Sequence, residues 1–286
     1  MPVVSLKEIV DRSFAERYGV PAINIFNDLT LEAVLAGAVQ ASSPVIVQTS
    51  VKTVKSMGVE LLAAMWRGLT RGNLLPRGPP LVSFPAPSCI TAVLEKRRDP
   101  VPLFAPSPRA GRKPRQSIEV VAEARRHGAH VEGEIESITG VEDDHGSDEE
   151  SVRQSLEVQL EFLRATGVDV FAPAIGNAHG SYKTTPVLDG ERISQLVAAY
   201  PVPIALHGGS GLTDDQFRDL IGRGCAKVNI STALKELFMK SELEFLQQAA
   251  ERGTWDPPSL FRHTRSRVID LVVGYAEVFG SAGKAV

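Results

Sequence analysis

The sequence has few cysteines, no long apolar run and little net charge, and each of these absences excludes a class of protein. Two cysteines in 286 residues, Cys89 and Cys225, cannot form a disulfide framework, and neither belongs to a Cys/His cluster. No stretch approaches the roughly 18 apolar residues of a membrane-spanning helix, and the first residues lack the apolar core of a signal peptide. A net charge of −3 disfavours nucleic acid as a partner. We therefore expect a cytoplasmic protein that binds neither a membrane nor nucleic acid.

What the sequence does have is a regular alternation of short apolar, β-branched runs with amphipathic stretches of ten or more residues, which is typical of repeated βα units. Six strands are predicted, at residues 20–26, 44–49, 129–135, 168–175, 202–206 and 226–230. The gap between the second and third of them has room for two more βα units. The sequence thus predicts an α/β fold with a (β/α)8 TIM barrel in a single domain, residues 1–286. An open doubly wound sheet is the alternative, but no glycine-rich nucleotide motif follows the first strand.

Residues 72–115 differ from the rest of the chain. This segment holds 10 of the 19 prolines and carries a net charge of +6. Because proline removes a ladder donor and blocks a helix interior, the segment is expected to hold no regular helix or central strand, and strands 3 and 4 of the barrel are expected to be aberrant in sequence. Two interpretations are open: a disordered basic insertion that binds an acidic partner, or a stretch with no evolved role, as a displaced reading frame would produce.

Two carboxylates lie on the strand predicted at residues 129–135. Alternate residues of a strand face the same side, so Glu132 and Glu134 point together, and an acidic loop that contains Glu142 follows them. Two carboxylates aimed into a barrel are costly unless they bind a cation or a polar substrate. An exposed edge strand is the alternative interpretation.

Two histidines stand at the ends of later strands, where a barrel places its active site. His179 is followed by Gly180, and His207 opens a glycine-rich stretch at residues 208–211. Such a stretch leaves backbone N–H groups free for a phosphate, and so does the helix start at residues 229–232. Two imidazoles and a carboxylate are a plausible zinc ligand set. Metal and phosphate together indicate Lewis-acid chemistry on a phosphorylated carbonyl compound.

The chain resembles the zinc-dependent class II ketose-bisphosphate aldolases, the group that includes fructose-bisphosphate and tagatose-bisphosphate aldolases. The resemblance covers about residues 1–71 and 116–280. It is carried by six motifs in family order, which are AINIFN (22–27), SPVIVQTS (43–50), VEGEIESITGVEDD (131–144), AIGNAHGSYK (174–183), LHGGSG (206–211) and KVNIST (227–232).

The resemblance implies a role for each candidate residue. His179 and His207 would bind Zn²⁺, Glu134 would serve a second or alternative metal position, and Glu142 would be the base that removes a proton next to the carbonyl. The dihydroxyacetone phosphate unit would be held by Gly180, Lys183, Gly208, Gly209, Ser210, Asn229, Ile230, Ser231 and Thr232. The implied reaction is reversible aldol cleavage of a ketose 1,6-bisphosphate to dihydroxyacetone phosphate and an aldehyde phosphate, in which zinc stabilises the enediolate and no Schiff-base lysine is needed.

The chain departs from this family at the end of the third strand. Family members carry an HLDH-like motif there, whose aspartate gives a proton to the aldehyde oxygen and whose last histidine is the third zinc ligand. Residues 79–82 read PPLV instead, and no histidine precedes His127. Because the resemblance resumes near Gln116 with little change in spacing, a replaced stretch fits better than an insertion. The missing ligand and acid predict weak zinc binding and impaired activity.

A non-catalytic barrel that binds sugar phosphates is the alternative function, since the phosphate motifs are intact while the acid and one ligand are absent. Ser231 favours the tagatose-bisphosphate-like or general ketose-bisphosphate branch over the dedicated glycolytic one. The family commonly forms dimers or tetramers, so a homo-oligomer is expected, with residues 258–279 as a candidate contact.

Overall fold

The computed structural model of the chain contains a parallel β-sheet that curls on itself, with helices on its outer face. It describes residues 4–71, 80–85, 103–104, 115–126, 128–136, 140–142, 145–147, 153–178 and 186–285. The strands are β1 (Val20–Asn24), β2 (Val45–Gln48), β3 (Pro80–Pro85), β4 (Leu103–Phe104), β5 (Val131–Gly133), β6 (Gly140–Glu142), β7 (His145–Ser147), β8 (Val170–Phe171), β9 (Ile204–Leu206) and β10 (Cys225–Ile230).

The helices described in the structure include one at the amino end and two long ones near the carboxyl end. They are α1 (Leu6–Glu16), α2 (Asp28–Gln40), α3 (Val51–Met57), α4 (Val59–Arg71), α5 (Arg115–Arg126), α6 (Leu156–Thr166), α7 (Gly190–Ala199), α8 (Asp214–Arg223), α9 (Thr232–Arg252) and α10 (Pro257–Val278). Over the described ranges, no helix combines the length and the apolarity that crossing a bilayer requires.

Six strands form a curled, parallel half-barrel in the order β5, β8, β9, β10, β1, β2. Backbone pairing continues from β2 through β3 and β4 back to β5. The α/β class and the curled parallel sheet are therefore confirmed. The complete (β/α)8 barrel stays a prediction, because the stretch between β3 and β4 lies outside the described residues.

The proline-rich segment contains two paired strands, which differs from the expectation that it holds no central strand. Pro80 and Pro85 are the first and last residues of β3, where a proline costs least, and the residues between them read LVSF, which suits a strand. β3 pairs with β2 from Val45↔Pro80 to Gln48↔Ser83. The high proline content of the whole segment did not predict this strand, because the effect of a proline depends on its position within the strand.

The core has two parts, one on each side of the sheet. β1 and β2 are buried along nearly their whole length, as is typical of parallel strands covered on both faces. One cluster lies between strands and helices, and the other joins Leu6, Ile9 and Val10 of α1 to alternate residues of several strands. The hydroxyl of Ser13 donates to the carbonyl oxygen of Ala226 over 2.7 Å. α1 thus covers the inner face of the sheet at the end opposite to the candidate site.

The amphipathic stretches predicted between the strands appear in the structure as helices. The short helix α3 was not predicted, although Ser50 caps it by accepting from the backbone N–H of Thr53. The antiparallel hairpin of β6 and β7 was not predicted either, because its sequence is acidic and glycine-containing rather than apolar. This hairpin lies between β5 and α6, and Glu142 is the last residue of its first strand.

Candidate active site

Three charged or ionisable side chains meet inside the sheet. Glu132 of β5 places Oε1 2.7 Å from Nε2 of His207, the residue that follows β9. Its other carboxylate oxygen lies 2.9 Å from the Nζ of Lys227 on β10, and that ammonium donates to Oδ1 of Asn229 over 2.6 Å. All three of these ionisable side chains are buried, with Lys227 fully so. Strands five, nine and ten therefore share one buried polar cluster.

The charged groups in this cluster stabilise one another. Burial by itself would raise the pKa of Glu132, but the positive charge of Lys227 and the hydrogen bond from His207 outweigh it and hold the pKa of Glu132 below its usual value. The carboxylate is therefore ionised and can only accept. It follows that Nε2 of His207 carries a proton and donates.

The backbone on either side of His207 is also fixed. The side-chain amide of the buried Asn177 donates to the carbonyl oxygen of His207 over 2.9 Å and accepts from the backbone N–H of Ile175. Gly208 has a φ of +63°, and a Cβ there would lie 2.1 Å from the carbonyl oxygen of Ala178. Only glycine fits this position, so the segment after β8 and the loop after β9 are in direct backbone contact.

The glycine-rich loop at residues 208–211 packs against the start of α9. A Cβ on Gly209 would lie 3.1 Å from the carbonyl oxygen of Asn229, and the hydroxyl of Ser210 accepts from the backbone N–H of Ala233 over 3.1 Å. Ser231 is the residue before α9 but makes no capping bond. Its hydroxyl is buried and finds no partner among the described residues. A helix start, a glycine loop and an unsatisfied hydroxyl together fit an anion.

The other predicted site residues are placed as follows. Ile230 ends β10 and is fully buried, and Thr232 begins α9. Glu134 follows β5 and is half-buried, and the backbone of Glu142 lies in the hairpin. His179, Gly180 and Lys183 lie outside the described residues, so the structure does not test the zinc pair of His179 with His207 or the phosphate roles of Gly180 and Lys183.

Sequence reasoning did not predict the pairing of two residues of the polar cluster, Glu132 and Lys227. Glu132 was expected to share a face with Glu134, and in the structure Glu132 contacts His207. In the sequence, Lys227 is the first residue of the motif at residues 227–232 and has no predicted role of its own. The sequence signal for its role was a lysine within a largely apolar strand. A lysine that is buried in such a strand is almost always paired with an opposite charge. A register shift between Cys225 and Lys227 marks the place in β10 where this side chain enters the cluster.

His207 fits the chemistry of a zinc ligand. Its Nε2–H donates to a carboxylate, and metal-bound histidines regularly show this partnership. Over the parts of the chain that are described, three histidine, cysteine, aspartate or glutamate side chains do not gather as a metal site.

A parallel α/β sheet with charged groups and a glycine loop at the carboxyl ends of its strands is the arrangement of an enzyme acting on phosphorylated small molecules. The chain belongs to the class-II fructose-bisphosphate aldolase family, whose profile, "Fructose-bisphosphate aldolase class-II", matches residues 4–76 and 114–284. The unmatched stretch between these ranges agrees closely with the break in the resemblance at residues 72–115.

Two named relatives cover the chain from end to end. It is 30% identical to the sulfofructosephosphate aldolase of Alkalicoccus urumqiensis and 30% identical to the fructose-bisphosphate aldolase of Geobacillus stearothermophilus, over 100% of the chain and 99% of each relative. The crystal structure of the YdjI aldolase from Escherichia coli K12 has the same fold, with a TM-score of 0.80, 24% identity and full coverage of both chains. The chain is a class II aldolase, a lyase whose family acts on sugar phosphates and yields dihydroxyacetone phosphate.

Proposed function

We propose that the chain carries out zinc-dependent, reversible aldol cleavage of a ketose 1,6-bisphosphate to dihydroxyacetone phosphate and an aldehyde phosphate. The observation that carries this proposal is the buried hydrogen bond between Glu132 and His207, beside an unsatisfied hydroxyl at the start of α9. The first feature suits a metal-binding imidazole, and the second suits a phosphate. Both sit at the carboxyl ends of parallel strands, where one substrate can reach them.

His179 and His207 would hold the zinc ion, with Glu134 as a ligand of a second or alternative position. A bound zinc ion would polarise the ketone carbonyl and stabilise the enediolate. Glu132 keeps Nε2 of His207 protonated and the ring fixed, and Lys227 neutralises Glu132. A protonated carboxylic acid at Glu132 would weaken this support.

The phosphate would be bound by backbone N–H groups of the glycine loop and of the start of α9, with the hydroxyl of Ser231 supplying a further donor. The proposed set is Gly180, Lys183, Gly208, Gly209, Ser210, Asn229, Ile230, Ser231 and Thr232. Asn229 already accepts from Lys227, so its amide N–H₂ is turned away from that lysine and can donate to a substrate hydroxyl.

Glu142 is the proposed base that removes the proton beside the carbonyl. It lies in the hairpin between β5 and α6, at the same end of the sheet as His207, because both follow the carboxyl end of a strand. The expected acid and third zinc ligand are absent from residues 79–82. We therefore propose a slow enzyme, since loss of a general acid costs about 10²- to 10⁴-fold in rate.

The same proposal covers the whole chain. Residues 1–286 form one domain, a complete (β/α)8 barrel whose third and fourth strands are aberrant in sequence, with residues 72–115 as an anomalous segment inside it. We also propose that the chain forms a homo-oligomer, a dimer or a tetramer. Exposed apolar side chains on and beside the last two helices, such as Met239, Trp255 and Phe261, support a contact between subunits at these helices. Sedimentation of the purified chain tests this assembly. A cytoplasmic location stays a prediction.

The test of function is retro-aldol cleavage of a panel of ketose phosphates by the purified chain, with added zinc and with EDTA. The panel contains fructose 1,6-bisphosphate and a sulfofructose phosphate, after the names of the two relatives, and also tagatose 1,6-bisphosphate. We expect slow cleavage that EDTA abolishes and that His207→Ala and Glu142→Gln reduce further. No cleavage by folded protein, with metal-free binding of dihydroxyacetone phosphate, would establish a non-catalytic binder instead.

A further inference from the structure

A second buried carboxylate, Glu136, lies just beyond β5 and is not part of the cluster around His207. Its side chain is only 2% exposed. The carboxylate accepts three hydrogen bonds from separate parts of the chain. Oε1 accepts from the backbone N–H of Gln154 over 3.0 Å and from Nε2 of Gln159 over 2.6 Å. Oε2 accepts from the backbone N–H of Ala174 over 3.0 Å.

Two of these donor residues, Gln154 and Gln159, are themselves held in place by Arg192 of α7. Its Nη1 donates to the carbonyl oxygen of Gln154 over 2.9 Å and to Oε1 of Gln159 over 3.1 Å. Gln159 is fully buried in α6, and its amide is thereby oriented with the N–H₂ group toward Glu136. Burial raises the pKa of Glu136, against the effect of these donors and of the positive charge of Arg192. Glu136, its three donors and Arg192 thus form one hydrogen-bonded network.

The three donors mark two places that matter for the chemistry. Gln154 is where the chain returns from the β5–α6 connection, just before the N-cap Ser155 of α6. Glu136 is where that connection leaves β5, so a single hydrogen bond closes its two ends. Between them lies the hairpin with Glu142. Ala174 belongs to the stretch after β8 that leads to Asn177 and Ala178, which contact His207 and Gly208.

We propose that Glu136 is a positioning residue that closes the base of the β5–α6 connection onto the end of β8, and so sets the hairpin of Glu142 against the loop of His207. Its carboxylate is suited to this because two oxygens can accept three donors at once, whereas an amide offers only one acceptor atom. The role of Glu142 in this inference rests on the proposed function. The closing contact itself rests on distances alone.

The chain offers a matched control at the other end of the same two strands. Asp169, at the start of β8, accepts from the backbone N–H of Val131, at the start of β5, over 2.9 Å. It is also largely buried, with a side-chain exposure of 13%. Asp169→Asn therefore disturbs a carboxylate bridge between β5 and β8 that is far from the hairpin. Effects that are specific to the proposed role must appear in Glu136 variants and not in Asp169→Asn.

The first measurement is amide hydrogen exchange of the ligand-free chain, followed by mass spectrometry. In Glu136→Ala and Glu136→Gln we expect exchange to rise about tenfold or more in two stretches, the described part of the β5–α6 connection (residues 140–142, 145–147 and 153–154) and residues 172–178, with residues 204–206 and 225–230 unchanged. Glu136→Gln should be the milder, because it retains one acceptor. Arg192→Met, which leaves Glu136 in place, should show the same pattern more weakly. Unchanged exchange at these two stretches in every folded variant would overturn the proposal.

The second measurement is solvent exchange of the proton beside the carbonyl of dihydroxyacetone phosphate, which reports base action without the missing acid. We expect kcat for this exchange to fall about tenfold or more in Glu136→Gln, while KM and the zinc content change less than threefold. Equal losses in Asp169→Asn, or a change in KM alone, would show a structural role only and overturn the assignment. If the unaltered chain exchanges no proton, the proposed function fails, and the amide-exchange result still decides the contact.

Discussion

Glu132 and His207, 75 residues apart in the chain, share a hydrogen bond of 2.7 Å inside the sheet. The carboxylate is the acceptor, since its pKa is held down by Lys227 and His207. It therefore fixes which ring nitrogen keeps the proton. In the proposed zinc site, the metal affinity of His207 would therefore depend on a residue that does not touch the metal.

Glu132→Gln is expected to weaken zinc binding about 10- to 100-fold, the usual cost of removing a carboxylate behind a metal-bound histidine. The amide accepts more weakly and can also turn its N–H₂ toward the ring, so it no longer fixes the tautomer. Competition with a chromophoric chelator measures the dissociation constant. Glu16→Gln, which changes a half-exposed carboxylate paired with Arg12 and Lys284, is the control and should leave zinc affinity unchanged. Equal affinity in the two variants would contradict this prediction.

Lys227→Met is expected to destabilise the protein by about 3 to 5 kcal/mol, the cost of leaving one member of a buried ion pair uncompensated. The methionine fills similar space but leaves Glu132 with its negative charge only partly neutralised. Urea unfolding measures the free-energy change. The double variant with Glu132→Gln removes both charges and should recover most of the loss. A double variant as unstable as Lys227→Met alone would mean that packing, not charge, explains the effect.

The accuracy of the sequence-based predictions can be judged at particular residues. The strands with apolar, β-branched runs, such as β1 and β10, were predicted at nearly their observed bounds, because burial on both faces leaves a clear pattern. β8 is only two residues long, against eight predicted, because the apolar run continues past the last ladder pair into the loop before Asn177. Apolarity reports burial, and a buried loop carries the same signal.

The candidate site was predicted less completely than the fold. His207 and the glycine loop were found because glycine after a strand end is a local signal. Glu136 was not singled out, since its partners at Gln154, Gln159 and Ala174 are 18 to 38 residues away and each is an unremarkable residue in the sequence. Lys227 and Glu132 are paired across 95 positions, which no local pattern encodes.

Gly208→Ala is expected to be strongly destabilising, well above 2 kcal/mol, or to displace the glycine loop. Its φ of +63° alone costs a non-glycine residue about 1 to 2 kcal/mol, and the added Cβ would also meet the carbonyl oxygen of Ala178 at 2.1 Å. Gly253→Ala is the matched control, because Gly253 has nearly the same φ, +65°, with open space around it. Thermal unfolding should show the larger loss of stability for the substitution at position 208. Equal losses of stability in the two variants would contradict a destabilising contact between the added Cβ and the carbonyl oxygen of Ala178.

Asp169→Asn is expected to change how stability depends on pH. Burial would raise the pKa of Asp169, but the imidazole of His130, whose Nδ1 lies 3.7 Å from Oδ1, and the hydrogen bond from the backbone N–H of Val131 outweigh it, so the pKa lies below the ordinary 3.8. A lowered pKa stabilises the fold above 3.8, and this contribution is lost as the pH falls through the lowered value. Urea unfolding from pH 7 to pH 3 should show a constant deficit in the variant that shrinks below about pH 3.8. A deficit independent of pH would contradict the assigned charge.

Ser231→Ala separates a phosphate-binding hydroxyl from a structural one. The hydroxyl of Ser231 is buried without a partner in the described part of the chain, so its removal should leave the free energy of unfolding unchanged to within about 0.5 kcal/mol. Ser241 on α9 has the same unsatisfied, buried hydroxyl but lies about ten residues further along, so Ser241→Ala is the control. Calorimetric titration with dihydroxyacetone phosphate should show affinity about 5- to 10-fold weaker for Ser231→Ala, equivalent to one lost hydrogen bond, and unchanged for Ser241→Ala. Unchanged affinity in both would remove Ser231 from the proposed phosphate site.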